Sequence, residues 1–267
     1  MKQNASIITI VTVVYNDALN IEETILSVTN QSYQEIEYII IDGGSTDGTL
    51  DVIKKNENKI TYFRSEPDNG IYDAMNKSLS FITGSYIYFL NSGDVIFDNK
   101  TIETIMVQLN DEDVVFCDTI LTIRNENYYL QQRNLTATDP MPTCHQSVLV
   151  KTHLLKAHNF NLKLRISADK EFFKYCFNQN VKYKNISIPL GVIDGDGFST
   201  KYKITQAKEN QAIFQESLLV YFFRLLKEYL MVFIIYLCPK SIYHKLRAKQ
   251  YSKNKIDYIT YCKMINE

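Results

Sequence analysis

The first third of the chain alternates strand-like and helix-like segments, and this alternation limits the folds that it can adopt. Residues 6–15 are apolar and β-branched, and the segments "EYIIID", "ITYFRSE" and "SYIYFL" repeat that pattern. The stretches between them place apolar residues at helical spacing, as at Ile21, Ile25 and Val28. Strands that alternate with helices of about a dozen residues are typical of a parallel sheet. The sequence therefore predicts an α/β fold with a Rossmann-like, mostly parallel sheet flanked by helices.

The second half of the chain is less regular, and its end differs in character from the rest. Strand-like segments at "DVVFCDTILTI" and "KYKNISIPLGVI" enclose a helical pattern at "DKEFFKYCFNQ". From about residue 203 the pattern is helical as far as Cys238, where Pro239 interrupts it. We therefore predict a globular domain at residues 1–215 and a helical C-terminal arm at residues 216–267.

Cysteine usage and the N-terminal segment indicate the compartment. The five cysteines are widely spaced and include no C-x-x-C pair, which excludes the usual zinc spacings and offers no disulfide framework. The segment "MKQNASIITIVTVVYN" runs directly into a strand-like pattern and lacks the layout of a signal peptide. We expect a reducing, cytoplasmic location.

The C-terminal arm has the composition of a segment that lies on a membrane surface. Residues 218–267 carry nine Lys/Arg and three Asp/Glu, a net charge of +6 in a chain whose total is −1. Within "SLLVYFFRLLKEYLMVFIIYLC" the longest stretch without a charge is Tyr229–Cys238, ten residues where about 20 are needed to span a bilayer. An interfacial helix followed by basic residues suits a peripheral position on the inner face of the cell membrane. The alternative is a helix packed on the globular domain or on a second copy, as in a homodimer.

Acidic residues stand where three of the predicted strands end. Asp42, Asp68 and Asp94 follow these strands and lie among Gly, Ser or Asn residues. Ligands of open α/β sheets bind at the carboxyl ends of strands, so these carboxylates suit ribose hydroxyls, a base edge or a divalent cation. Each acid alone also fits a helix N-cap or a turn. No G-x-G-x-x-G follows the first strand, which argues against an ordinary dinucleotide site.

Four motifs in the first hundred residues resemble those of a known enzyme family. "ITIVTVVYND", "IIIDGGSTDGT", "EPDNGIYDAMNKS" and "IYFLNSGD" have the order and spacing of the motifs of family 2 glycosyltransferases with the GT-A fold. The sequence is most similar to bacterial enzymes of capsule, O-antigen and colanic-acid synthesis, over about residues 6–200. The resemblance implies sugar transfer from a nucleotide-diphosphate sugar, and it implies the residue roles that follow.

The resemblance implies a nucleotide-sugar site at the ends of the first strands. Thr12 and Tyr15 would lie beside the base with Tyr15 stacked on it, although ordinary strand packing explains Tyr15 equally well. Asp42 would accept hydrogen bonds from the base or the ribose. The motif "DNGIYDAMNKS" would contribute five further residues, which are Asn69, Gly70, Asp73, Asn76 and Lys77. Asp73 and Lys77 are also spaced as an ordinary i,i+4 ion pair.

The loop "NSGD" occupies the position of the family's D-x-D metal motif. Asn91 stands in place of the first acid, so that Asp94 is the carboxylate left to bind Mn²⁺ or Mg²⁺. One carboxylate is sufficient when waters and substrate phosphates complete the coordination. Asn91 and Ser92 would contact the donor, and Gly93 would let the backbone approach the sugar diphosphate. The alternative is a degenerate site that binds no metal.

The resemblance also implies a general base in the second half, at the start of a helix. Asp169 in "RISADKEFF" matches that position and would deprotonate the acceptor hydroxyl, the alternative being a helix N-cap. His145 in "TCHQSVLV" would help to bind the acceptor or the departing diphosphate, the alternative being a histidine without a functional role. Ser199 in "GDGFST" would contact donor phosphates from a flexible loop.

These features predict an inverting, metal-dependent glycosyltransferase that uses a UDP-sugar and a glycan or lipid-linked acceptor in surface polysaccharide synthesis. Two other classes fit parts of the sequence. An inactive nucleotide-sugar-binding protein would explain the missing D-x-D acid. A nucleotidyltransferase would share the sheet and the metal, but its Gly-rich, basic loop is absent after Val14. No nucleic-acid partner is expected, because basic residues cluster only behind the apolar tail.

Overall fold

One sheet organises the part of the chain that the computed structural model describes, which is residues 6–123, 126–137, 139–195, 202–215, 217–237 and 255–256. The strands are β1 (Ile8–Val14), β2 (Ile36–Asp42), β3 (Tyr62–Ser65), β4 (Tyr86–Phe89), β5 (Val95–Ile96), β6 (Val114–Ile123), β7 (Glu126–Leu130), β8 (Val148–Lys151), β9 (Tyr183–Asp194) and β10 (Lys255–Ile256). The helices are α1 (Ile21–Thr29), α2 (Thr49–Lys55), α3 (Ile71–Ser78), α4 (Thr101–Met106), α5 (Thr152–Ala157), α6 (Ala168–Asn178), α7 (Lys203–Phe214) and α8 (Leu218–Leu237).

The parallel half of the sheet has the strand order β4-β1-β2-β3. β1 pairs in parallel with both β2 and β4, and β2 pairs in parallel with β3. The chain therefore moves outward from β1 to β3 and then returns to the opposite side of β1. The connections diverge at the carboxyl ends of β1 and β4, and such a reversal is where open α/β sheets bind ligands.

The second half of the sheet contains strands of mixed direction. β8 pairs antiparallel with β4 and with β6, and β7 extends the sheet beyond β6. β9 runs parallel to β6 and pairs antiparallel with the short β5, which begins directly after Asp94. This pairing holds the loop after β4 against the second half of the sheet.

Side chains of the central strand alternate between two cores. Ile8 and Ile10 of β1 face a core completed by α1, α2 and α4, whereas Val11 and Val13 face a core completed by α3, α5 and α6. All four are buried, and burying an aliphatic side chain of this size contributes about 1.5–3 kcal/mol. Helices therefore cover both faces of the parallel strands, as their continuous apolar patterns require.

The described part of the C-terminal arm contacts α7 and β7. α8 lies against α7, although Leu218 is 79% and Phe222 59% exposed. Between these helices Gln215, which directly follows α7, has a φ of +50°. Further along, β10 pairs with β7, and Lys255 lies 2.6 Å from Glu126 in an ion pair. Of the helices in the described ranges, none combines the length and apolar character needed to cross a bilayer.

Candidate active site

The end of β1 exposes one of the two residues expected beside the base. Tyr15 is 65% exposed, and its ring lies next to Gly43, where an added Cβ would be 3.3 Å from a ring carbon. An exposed ring at this reversal of strand order suits stacking on a flat base. Thr12 is instead fully buried, with its hydroxyl 3.1 Å from that of Tyr38. The side chain of Thr12 packs inside the sheet, and its place beside the base stays a prediction.

Asp42 organises the loop after β2. It is fully buried and accepts hydrogen bonds from the hydroxyls of Ser45 and Ser65, each at 2.5 Å. The Ser45 hydroxyl also accepts a 2.7 Å bond from the backbone N–H of Asn16. This network joins the loops after β1 and β2, and so fixes the position of Tyr15. The carboxylate oxygens of Asp42 are bonded within the protein, and its contact with base or ribose stays a prediction.

The segment before α3 forms a bonded turn with one open position. Asp73 accepts bonds from the backbone and side-chain amides of Asn69 at 2.9 and 3.1 Å, and the backbone bond is the main cause that lowers the pKa of Asp73. Lys77 lies 3.5 Å from Asp73 and donates to the Pro67 carbonyl at 2.8 Å, so the i,i+4 pair forms. Gly70 has a φ of +119°, and an added Cβ would meet nothing within 4 Å. Gly70 therefore borders open space, whereas the charges of Asp73 and Lys77 are paired.

Three other residues expected at the donor have partners within the protein. The amide of Asn76 donates to the Phe160 carbonyl at 2.8 Å and accepts from its N–H at 2.9 Å. Asn76 thus ties α3 to the segment before α6, and its expected donor contact stays a prediction. Ser92 donates to Asp17 at 2.6 Å, and Gly93 has a φ of +88° that favours glycine. Both shape the turn after β4, and their donor contacts stay predictions.

The turn after β4 directs Asp94 into the protein. Asp94 is 5% exposed, and its carboxylate accepts bonds from the Gln146 side chain and the Asp194 backbone N–H, both at 3.1 Å. Burial raises the pKa of Asp94 to about 7, although these two bonds oppose the rise. The carboxylate is therefore held in a weakly solvated place, where a cation would favour its charged form.

His145 connects the expected base with the loop after β4. Its Nδ1 is 3.5 Å from Asp169 Oδ2, and its Nε2 is 3.3 Å from the Asn91 side-chain nitrogen. Because that nitrogen is a donor, Nε2 accepts and Nδ1 carries the proton toward Asp169. Three predicted site residues from distant parts of the sequence thus form one line of contacts.

Asp169 lies in the first turn of α6 and is 7% exposed. Burial alone would raise the pKa of this carboxyl, but the hydrogen bond from His145 and the nearby positive charges outweigh burial and lower the pKa below its ordinary value. Asp169 is therefore ionised at neutral pH and can accept a proton. It also accepts a 2.8 Å bond from the backbone N–H of Lys170, a contact that stabilises the first turn of the helix.

Glu209 of α7 fixes the segment that leads to Asp169. Its carboxylate accepts backbone N–H bonds from Arg165, Ile166 and Ser167 at 2.7, 3.0 and 2.8 Å. These three residues directly precede α6, so that Glu209 sets the start of the helix that bears the expected base, Asp169. No local signal marks Glu209 in the sequence, because its partners are more than 40 positions away.

The residues around Asp94 fit a divalent cation whose remaining ligands come from the substrate. The side-chain oxygen of Asn91 is buried and has no hydrogen-bond partner within the described ranges, and Asp94 is a buried carboxylate three positions later. Both groups are oxygen ligands of the kind that Mn²⁺ and Mg²⁺ accept. No cluster of three His, Cys, Asp or Glu suited to a metal occurs among the described residues. Phosphates and waters would therefore supply most of the ligands.

Two site residues were not identified from the sequence, and one predicted residue cannot be placed. Gln146 follows His145 in "HQS", so that motif was the available signal. Glu209 was not identified either, for the reason given above. Ser199 lies outside the described residues, and its contact with donor phosphates stays a prediction.

Comparison with known proteins identifies relatives over part of the chain. Residues 9–173, more than half of it, match the profile of Glycosyl transferase family 2. A PGL/p-HBAD biosynthesis glycosyltransferase of Mycobacterium tuberculosis is 28% identical over 167 residues, covering 57% of this chain and 62% of that relative. An uncharacterized glycosyltransferase of Haemophilus influenzae is 35% identical over 124 residues, covering 43% and 50%. The chain thus matches less than two thirds of the length of these relatives.

Solved structures of low sequence identity share the fold. Staphylococcus aureus TarS in complex with UDP-GlcNAc superposes with a TM-score of 0.61 at 18% identity, covering 73% of this chain and 61% of that one. The mannosyltransferase PcManGT of Pyrobaculum calidifontis, with GDP-Man and Mn²⁺, gives 0.60 at 16% identity, covering 76% and 61%. They confirm the predicted α/β, GT-A arrangement. With the match over residues 9–173, they show that this chain belongs to glycosyl transferase family 2.

Proposed function

We propose that this protein is an inverting glycosyltransferase that moves a sugar from a UDP-sugar to a hydroxyl of a glycan or lipid-linked acceptor in surface polysaccharide synthesis. The observation that carries the proposal is the line of contacts from Asp169 through His145 to Asn91. It joins an ionised carboxylate to the loop of Asp94, at the reversal of strand order. Membership of the family supports the reaction type, and TarS and PcManGT, which bind nucleotide sugars, support the donor class.

On the acceptor side, Asp169 takes the proton of the acceptor hydroxyl while that oxygen attacks the anomeric carbon. The bond between this carbon and the diphosphate oxygen breaks, and the nucleoside diphosphate leaves with the bonding electrons. Attack opposite the leaving group inverts the configuration. General-base catalysis of this kind contributes about 10²–10⁴-fold. His145 orients Asp169 and keeps it ionised through its Nδ1 hydrogen.

On the donor side, Tyr15 stacks on the base, and Asn69 and Gly70 line the adjoining cleft. Asp94 and Asn91 would hold Mn²⁺ or Mg²⁺. When bound, the cation would neutralise charge on the departing diphosphate. A donor phosphate near Asp94 would also compensate for the missing first acid of the D-x-D motif, because phosphate oxygens are themselves ligands.

The exposed apolar side of α8 supports a peripheral position on the inner face of the cell membrane. Among the residues of this helix whose burial is described, eight large hydrophobic side chains are at least half exposed, including Leu218, Phe222 and Leu230. Burying such side chains in a membrane interface is favourable, and basic residues strengthen binding to anionic lipid. The full chain should sediment with anionic vesicles, and added salt should weaken that binding. Absence of sedimentation would place the acceptor elsewhere.

The central experiment measures donor binding and turnover separately. UDP-, GDP- and dTDP-sugars are screened with and without Mn²⁺ by thermal shift, since a ligand of the folded state raises stability. Transfer to a lipid-linked acceptor is then measured in the wild type and in Asp169→Asn. We expect Asp169→Asn to bind donor normally and to lose about 10²-fold or more in rate. Donor binding without turnover in the wild type would indicate an inactive binder, and pyrophosphate release from a nucleoside triphosphate would indicate a nucleotidyltransferase.

A further inference from the structure

An open cavity of about 650 Å³ lies between the start of α6, the helices α7 and α8, and the segment 139–141. Its lining combines cationic with apolar side chains, including Lys170, Arg224, Lys227, Met141, Phe214 and Phe223. Lys170 directly follows Asp169 in α6. The cavity is therefore lined by the direct sequence neighbour of the expected base.

Lys170 gives the cavity a positive charge, and Arg224 and Lys227 add two more against two lining acids, Asp139 and Glu228. The side chain of Lys170 is half-buried, and within the described ranges its ammonium makes no hydrogen bond or ion pair. Of the two lining acids, Asp139 is already held by Arg133 through bonds of 2.8 and 3.2 Å. Burial lowers the pKa of Lys170, and the charges of Arg224 and Arg133 add to that effect, while Asp169 and Asp139 oppose it. An anion in the cavity would relieve this burial of positive charge.

A second, independent feature of the cavity is an unpaired acceptor. Asn210 of α7 is 8% exposed and lines the cavity, and its side-chain oxygen is buried without a partner in the described part of the chain. Buried polar atoms in folded proteins are nearly always hydrogen-bonded. A hydroxyl of a bound molecule would satisfy this oxygen. The cavity thus presents a place for an anion, a place for a hydroxyl and an apolar wall.

We propose that this cavity binds the phosphate-bearing end of an amphiphilic acceptor, a lipid phosphate or phosphodiester that carries a short glycan. The inference rests on the proposed function and names the acceptor's chemical class. The phosphate contacts Lys170, a sugar hydroxyl donates to Asn210, and the lipid passes Phe214 and Phe223 toward the exposed apolar side of α8.

The test uses soluble probes on the full chain. Calorimetry measures binding of octyl phosphate below its micelle concentration, of octyl glucoside as the neutral counterpart, and of UDP as a probe of the donor site. We expect the wild type to prefer octyl phosphate. Lys170→Gln should weaken the affinity for octyl phosphate about tenfold, as expected for one charge-assisted contact. The affinities for octyl glucoside and UDP should stay unchanged. Lys170→Arg should retain binding, and Lys54→Gln on α2, an exposed lysine remote from the cavity, is the matched control.

A second arm separates the acceptor from an ordinary membrane lipid, which has the same phosphate chemistry. Transfer to a sugar-bearing octyl diphosphate is compared with binding to phosphatidylglycerol vesicles. A KM for this acceptor raised about tenfold in Lys170→Gln supports the proposal. The proposal is overturned if wild type and Lys170→Gln bind octyl phosphate with equal affinity. It is also overturned if the substitution weakens vesicle binding but leaves the KM for the acceptor unchanged. If the wild type does not bind UDP, the proposed function is refuted, whether or not octyl phosphate binds.

Discussion

Replacing Asp94 by asparagine should stabilise the ligand-free protein and abolish metal-dependent donor binding. Burial raises the pKa of Asp94 from 3.8 to about 7. At 1.36 kcal/mol for each tenfold change, ionised Asp94 is destabilising by about 4 kcal/mol relative to its neutral form. Asparagine removes the charge at nearly equal volume. Its NH₂ group, however, is a donor that faces another donor, either the Gln146 amide or the Asp194 N–H. This mismatch lowers the free energy of unfolding by about 1–3 kcal/mol. The expected net gain is about 2 kcal/mol at pH 8.

The direction of the pH dependence follows from the raised pKa of Asp94. Below pH 4, where the carboxyl is protonated in both states, the wild type is free of this destabilisation. Between pH 4 and 7 the folded protein retains a proton that the unfolded chain releases, so wild-type stability falls as pH rises. The advantage of Asp94→Asn should therefore be largest at pH 8. It should disappear near pH 4, where only the mismatch of the amide remains.

Urea unfolding at pH 4, 6 and 8 measures this stability, and calorimetric titration of UDP with and without Mn²⁺ measures the site. Asn91→Ala is the matched control, because it removes a neutral ligand and leaves the charge in place. Asn91→Asp should tighten Mn²⁺ binding by restoring a second carboxylate. Equal Mn²⁺-dependent affinity for UDP in wild type and Asp94→Asn would refute the assignment of the metal anchor. A loss of stability at pH 8 would refute the account of its burial.

Three further substitutions test the arrangement around the base. His145→Gln should raise the pKa of Asp169, because His145 no longer opposes the effect of burial. The acidic limb of the pH profile of kcat/KM should then move to higher pH, and an unmoved limb would contradict the His145 contact. Glu209→Gln should lower the free energy of unfolding by about 1–3 kcal/mol and reduce kcat more than the donor KM, measured by urea unfolding and initial rates. Asn76→Ala should cost about 1–3 kcal/mol through its two bonds to Phe160 and leave calorimetric UDP affinity intact. A tenfold weaker affinity of Asn76→Ala for UDP would show that Asn76 contacts the donor.

The parallel half of the fold could be predicted because its strands are buried on both faces. β1 and β4 therefore appear as continuous apolar runs, and the helices between them show helical spacing. The strands β5 and β10, of two residues each, carry no pattern of their own. They exist because β9 and β7 offer backbone partners, and such partners depend on the tertiary fold.

The site was predictable to the extent that motif position determines side-chain direction. Asp169, His145 and Asn91 do converge, and their motifs were identified. Thr12 and Asp42 also stand in motifs, but both side chains point into the protein. Neighbouring residues at a strand end face opposite sides, so that a motif identifies the strand end without saying which residue faces the cleft.

The pairing of β10 with β7 has a consequence for how the chain reaches its native state. The contact between Lys255 and Glu126 joins positions 129 apart in sequence, and closing so long a loop is entropically unfavourable and slow. Until it closes, β7 is an uncovered edge strand, able to pair with the same edge of another nascent chain. Chains cut after Gln215 would keep this edge open permanently. Removing the arm to gain solubility should thus favour aggregation. In overproducing cells, aggregation should be greatest among chains whose residue 255 has not yet emerged from the ribosome.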